Sequence, residues 1–174
     1  MVGEFVIESP MPRHLRAKIL VLSDRAARGE RADRSGSAVR QVLERAGWNV
    51  AAVEILPDEP DQIRLRLVRV TEADDCDAVF TSGGTGLGPR DVTPEATRAI
   101  LEKEAPGLAE LMRAEGVKKT RLAALSRGIC GARKGKLIVN LPGSVRGATE
   151  SLESILDLLP HAIELLKGKT EHTE

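Results

Sequence analysis

Asp58 and Asp91 are the side chains in this sequence best suited to joint chemistry. Asp91 closes a loop, Gly83-Gly84-Thr85-Gly86-Leu87-Gly88-Pro89-Arg90-Asp91, that follows a short apolar run. Glycine lacks a Cβ, so main-chain N–H groups in such a stretch can approach an anion closely and turn through positive φ. Thr85 adds a hydroxyl, and a helix expected to start near Pro94 adds the partial positive charge of its N-terminus. A phosphate can be held here without a lysine. The loop is not a P-loop, because no Gly-Lys-Ser/Thr follows it. Nor is it a dinucleotide fingerprint, because the third glycine is replaced by Pro89 or Asp91 in the two available registers. A carboxylate beside a bound phosphate calls for a cation between them. Mg²⁺ takes one or two carboxylates with phosphate oxygens and water, and Asp58 is the candidate for the second carboxylate.

Those two residues lie far apart in sequence, so the fold must bring them together. Ala17–Ser23 is an apolar run that reads as a buried strand, Trp48–Leu56 as a second and Asp77–Ser82 as a third. Val39, Val42, Leu43 and Ala46 recur at helical spacing before Gly47; Ile63, Leu67 and Val70 mark another helical face. Thr93 is the expected N-cap of a helix with Pro94 in its first turn, continuing past Ala99 and Leu101 to Ala105. A further helix is expected from Leu108 to Val117. Arg127–Ser144 reads as two strands joined by a basic turn, and one or two helices run from Ser144 to Leu166. Strands alternating with helices predict a three-layer αβα sandwich with a mostly parallel sheet.

Position then carries the argument. Ser23-Asp24, Pro57-Asp58, Gly83 to Asp91 and Asn140-Leu141-Pro142-Gly143 each follow a strand. Parallel strands would deliver all four to one sheet edge, where open α/β sheets bind ligands. Each cluster has a plainer reading as turn or cap chemistry, and Arg90 as a solvated charge.

Composition bounds the rest. Lys+Arg and Asp+Glu both number 26 among 174 residues, which speaks against broad nucleic-acid binding. Cys76 and Cys130 have no metal-ligand spacing and read as free thiols of a reducing compartment. No secretory signal or membrane-spanning run is legible, so a cytoplasmic protein with no membrane partner is expected. Residues 1–16 read as an N-terminal arm, 17–167 as one domain and 168–174 as a tail.

The strings SDRAARGERADRSG, PDE, TSGGTGLGPRDVTPEA, APGLAELMR, LSR and IVNLPGS occur in the order found in the molybdopterin adenylyltransferase family, which includes the G domain of gephyrin. The chain resembles that family from about Ala17 to Leu166. The resemblance implies the molybdenum-cofactor biosynthesis fold and a homotrimer. It also implies a reaction in which molybdopterin and ATP give adenylyl-molybdopterin and pyrophosphate with Mg²⁺. It puts the essential, metal-holding carboxylates at Asp58 and Asp91. Ser23, Asp24, Asp33, Ser35, Gly83, Gly84, Thr85, Gly86 and Arg90 are then expected on the nucleotide and phosphate side. Ser126, Asn140, Pro142, Gly143 and Ser144 are expected on the pterin or phosphate side. Hand-off to a molybdenum insertase is the implied partner step. Val145 stands where many relatives carry proline. The rival readings are a pterin-binding protein of the same fold without transfer, and a nucleotide pyrophosphatase module, whose glycine loop is followed by paired aspartates rather than by Asp91 alone.

Overall fold

The structure, a computed structural model, describes residues 14–169. The expected arm and tail lie largely outside these, at residues 1–13 and 170–174. Six strands form one sheet in the order β2-β1-β3-β6-β5-β4. β1 (Arg16–Leu22), β2 (Asn49–Leu56), β3 (Ala78–Ser82) and β6 (Lys136–Leu141) are mutually parallel. β5 (Cys130–Arg133) is antiparallel to both β6 and the two-residue β4 (Lys103–Glu104). The basic turn between β5 and β6 is the two-residue Lys134-Gly135 loop, with φ of 50° and 71°, the primed-turn geometry that suits strand twist.

Two apolar layers cover the sheet. Alternation along β1 sends Ile19 and Val21 to one face and Leu20 and Leu22 to the other. On the first face lie Val39 and Leu43 of α2 (Ser35–Arg45), Ala109 and Met112 of α5 (Pro106–Val117), Leu152 and Ile155 of α6 (Val145–Ile155) and Ile163 of α7 (Leu159–Leu166). Trp48 meets Phe80 edge-on in that layer, ring centroids 5.8 Å apart. On the second face lie Ile63, Leu67 and Val70 of α3 (Pro60–Glu72) and Ala96 of α4 (Thr93–Arg98). The expected αβα sandwich is observed.

Three local expectations are corrected. α4 ends at Arg98, and the chain then reaches β4, where Glu102 N–H donates to Ala132 O and Ala105 N–H to Cys130 O. Two exposed residues, Lys103 and Glu104, offer no apolar pattern that would betray a strand. Thr93 is not the cap. It is fully buried, and its hydroxyl donates to Gly83 O at 2.9 Å, which ties the helix start to the glycine loop. The loop after β1 holds a one-turn helix, α1 (Asp24–Ala27), capped by Ser23 Oγ accepting from Ala26 N–H.

Candidate active site

The parallel strands deliver the four clusters to one end of the sheet. There Asp24 and Asp58 clasp one another: Asp24 N–H donates to Asp58 Oδ2 and Asp58 N–H donates to Asp24 Oδ1, both at 3.0 Å. The ends of β1 and β2 are thereby locked through two carboxylates. Asp58 does not cap α3; Glu59 holds the N-cap position.

The glycines are explained by what crowds them. Gly83, at φ +110°, lies so close to the end of β1 that a Cβ would sit 2.2 Å from Leu22 O. Gly84, at φ +65°, would drive a Cβ to 2.3 Å from Thr93 Oγ1 and 3.1 Å from Asp58 Oδ1. Only glycine takes both the left-handed backbone and the close approach without strain. Gly86 and Gly88 serve otherwise. A Cβ on either would come within 2.8 Å of Asp91 Oδ2, so the Asp91 carboxylate occupies the space their missing side chains leave. Gly88 N–H donates to that oxygen at 2.8 Å.

Electrostatics single out Asp58. Its Oδ1 is buried and has no hydrogen-bond partner, alone among the buried side-chain polar atoms of the described residues. Burial, followed by the negative charges of Asp24 and Asp91, pushes its carboxyl above the usual carboxylate range. Asp24 goes the other way, held low by Arg90, which donates from Nε and Nη2 to its two oxygens at 2.9 and 3.0 Å. An orphaned buried carboxylate oxygen next to a second carboxylate is what a cation completes. Among the described residues no three His, Cys, Asp or Glu side chains gather around a metal position. A cation at Asp58 therefore needs further ligands from a bound molecule.

Two cavities meet at the glycine loop. One, of about 330 Å³, is polar and is lined by Ser23, Asp33, Ser35, Asp58 and Gly83, and by Arg31 and Arg34, which the sequence had not marked. The other, of about 470 Å³, is mainly apolar and is lined by Thr85, Gly86, Ser126, Asn140 and Pro142 with Met112 and Leu125. Gly84, Asp91, Gly143 and Ser144 form the wall they share. Asp24 and Arg90 line neither.

Not every expected residue is free to bind. Asn140 is buried, and its side chain is consumed within the fold: Nδ2 donates to Thr81 Oγ1 and Thr97 Oγ1, and Oδ1 accepts from Ile129 N–H. It braces the cavity floor from below. Asp33 accepts from Ser35 Oγ and Gly36 N–H, both at 3.1 Å, and so organises the start of α2. Ser144 caps α6 by accepting from Gly147 N–H. Arg90 is spent on Asp24 and Glu59. A phosphate ligand at Arg90 would compete with both.

Arg127 was missed. Its N–H donates to Thr85 O, Nε to Gly86 O and Nη2 to Asp91 O, and Nη1 pairs with Glu95. Arg113 holds the same segment from behind, donating to Gly128 O at 2.9 Å. Arg127 stands in the LSR string, but residue type alone does not separate it from a solvated charge; the array of main-chain acceptors reveals its role.

A mostly parallel sheet with a glycine-rich loop and two adjoining cavities beyond its strand ends defines an α/β domain of the small-ligand-binding class. The family described as "Probable molybdopterin binding domain" matches residues 18–161, and the chain belongs to it. It is 40% identical over 152 residues to the molybdopterin adenylyltransferase of Helicobacter pylori strain J99, covering 86% of each chain. It is 42% identical over 149 residues to the molybdenum cofactor synthesis protein cinnamon of Drosophila melanogaster, covering 85% of this chain but only 25% of that longer protein. Among solved structures it is similar to the molybdopterin biosynthesis enzyme MoaB of Thermus thermophilus. The identity is 54% and the TM-score 0.83, over 89% of this chain and 98% of that one.

Proposed function

We propose that the protein is a molybdopterin adenylyltransferase, moving AMP from ATP to the terminal phosphate of molybdopterin and releasing pyrophosphate. The observation that carries this reading is the unpartnered Asp58 Oδ1, set beside the negative charge of Asp91 where a polar and an apolar cavity meet. Relatives named for this activity support the reaction class. A phosphate oxygen of the pterin would form the new bond to the α-phosphorus as the bond from that phosphorus to pyrophosphate breaks. A phosphate monoester has its second pKa near ~6, so the nucleophile is already largely dianionic at neutral pH. No protein base is required, and neither His14 nor His161 lines either cavity.

Asp58 and Asp91 are the residues that would hold Mg²⁺, which when bound supplies charge neutralisation and a template for the reacting oxygens. The chain's own part is orientation. Asp24 fixes the Asp58 carboxylate through its N–H. Gly83 and Gly84 line the polar cavity assigned to the nucleotide with Arg31, Arg34 and Ser35, while Thr85 and Gly86 line the apolar cavity beside it, so the loop's main chain would face the phosphates at the junction of the two. Ser126, Pro142, Gly143 and Ser144 line the cavity assigned to the pterin. A homotrimeric, cytoplasmic enzyme whose product passes to a molybdenum insertase completes the proposal. No helix of the described residues is long and apolar enough to cross a membrane.

The test is to incubate the protein with ATP, Mg²⁺ and molybdopterin and to assay adenylyl-molybdopterin and pyrophosphate together. Formation of both in equal amounts, abolished by EDTA, is expected. Retained pterin binding without either product would make the protein a carrier instead.

A further inference from the structure

We infer that Arg127 is a positioning residue that holds the Asp91 carboxylate in place by clamping the glycine loop. The loop from Gly83 to Val92 contains four glycines and lies outside any helix or strand, so ordering its backbone carries a large entropic cost. Its internal ties are few: Thr93 N–H to Gly84 O, Asp91 N–H to Gly88 O, and Gly88 N–H to Asp91 Oδ2. All three lie within the loop and its exit, so they fix its shape; its ties to the rest of the fold are Gly83 N–H to Leu141 O at the start and the exposed Arg90 side chain to Asp24 and Glu59.

Between those two ties, Arg127 holds the main chain of the limb at residues 85–91. Its guanidinium spans the loop, donating to Gly86 O and to Asp91 O, each at 2.7 Å, and its own N–H reaches Thr85 O at 2.8 Å. Glu95 on α4 pairs with the same guanidinium. A planar fork of fixed, spread donors holds two carbonyls and a carboxylate in set directions, whereas a lysine's three donors radiate from one freely rotating nitrogen. The anchor is itself braced. Arg113 of α5 donates to Gly128 O and Ser126 O on either side of Arg127. Gly128 in turn packs against β6, where a Cβ would stand 3.0 Å from Asn140 O. A chain of contacts thus runs from α5 and β6, through Arg127, to the carbonyl of Asp91. Arg127 lines neither cavity, so it acts through Asp91 and not on a ligand.

The kinetic arm of the test rests on the adenylyl-transfer reading; the structural arm does not. In the full chain, Arg127→Gln and Arg127→Lys are compared with wild type by amide hydrogen exchange, adenylyl-transfer kinetics and equilibrium pterin binding. Gly88 and Asp91 amides are expected to exchange at least about tenfold faster in Arg127→Gln while β3 amides keep their protection. Turnover is expected to fall about 10²-fold, the scale of a misplacement near 1 Å, with pterin affinity held within about threefold. Arg127→Lys should lie between the two. If Arg127→Gln fails to fold, Glu95→Gln, which removes the fork's side-chain anchor, should show the same pattern at smaller amplitude. Unchanged loop exchange in a folded variant overturns the inference, whatever the turnover. Equal losses of turnover, pterin affinity and β3 protection also overturn it, because they describe general unfolding. A wild-type protein silent in transfer, with the loop still loosened in the variant, would refute the enzymatic reading and leave the clamp standing.

Discussion

The two ends of the parallel sheet treat aspartate in opposite ways. At the amino end, Asp77 is nearly buried, and it accepts from Arg16 N–H at 2.8 Å and from Lys167 Nζ at 2.7 Å. Asp75 beside it takes Lys18 at 2.5 Å. At the carboxyl end, Asp58 has a buried oxygen with no partner and two negative neighbours, while Arg90 is diverted to Asp24 and Glu59. The first end is neutralised by the chain itself. The second is left for something that arrives. On the proposed reading the same residue type serves cohesion in one place and chemistry in the other, and the difference lies in whether the fold supplies the counter-charge.

Substituting each end should separate the two roles. Asp58→Asn has the largest expected effect, a loss of turnover of about 10³-fold or more, read by adenylyl-transfer rate. Its stability should move the other way. The Asp58 carboxyl is raised in the folded state, so its contribution to stability is present below the unfolded pKa and lost as pH rises through the folded one. An amide that does not ionise should leave the melting temperature at neutral pH equal or higher, and a clear drop would contradict the comparison. Asp77→Asn should give the mirror image, a destabilisation of about 1–2 kcal/mol at neutral pH with turnover per folded molecule unchanged. That figure is set below a fully buried pair because Arg16 and Lys167 remain 40% and 43% exposed. Burial alone would raise the Asp77 carboxyl, but Lys167 and Arg16 hold it low. Its stabilisation is therefore present above the unfolded value of 3.8 and fades as pH falls through the lower folded one, so urea midpoints of variant and wild type should converge in acid. Arg90→Ala should matter least. The Michaelis constant for ATP should stay within about threefold, because this exposed guanidinium is spent on two protein carboxylates whose pairing is worth little. A rise of about tenfold would place Arg90 on the nucleotide.

How much of this was legible in the sequence follows from what kind of signal each feature leaves. The strands that deliver Asp24 and Gly83 are apolar runs, and burial on both faces writes such runs plainly; β2, which delivers Asp58, lies at the sheet edge and is only partly buried, yet its valines, isoleucine and leucine still mark it. That Asp58 and Asp91 line one cavity follows from parallel topology, because strand ends share an edge. β4 left no trace, since two exposed charged residues pair only because β5 happens to run beside them. Asn140 was legible as a cavity residue, but its residue type does not say that its amide is tied to Thr81 and Thr97. Arg127 stood in the quoted LSR string, but its role was not legible for a similar reason: most of its partners are carbonyl oxygens, which every residue possesses.

The reciprocal clasp of Asp24 and Asp58 has one more consequence. β2 is the outermost strand and pairs only with β1, so the margin of the sheet is fastened at its far end by the carboxylate from which the reaction would be run. Fraying of that margin and loss of catalytic geometry are then a single event, and whatever ligand quiets the charge on Asp58 should also stitch down the rim of the molecule.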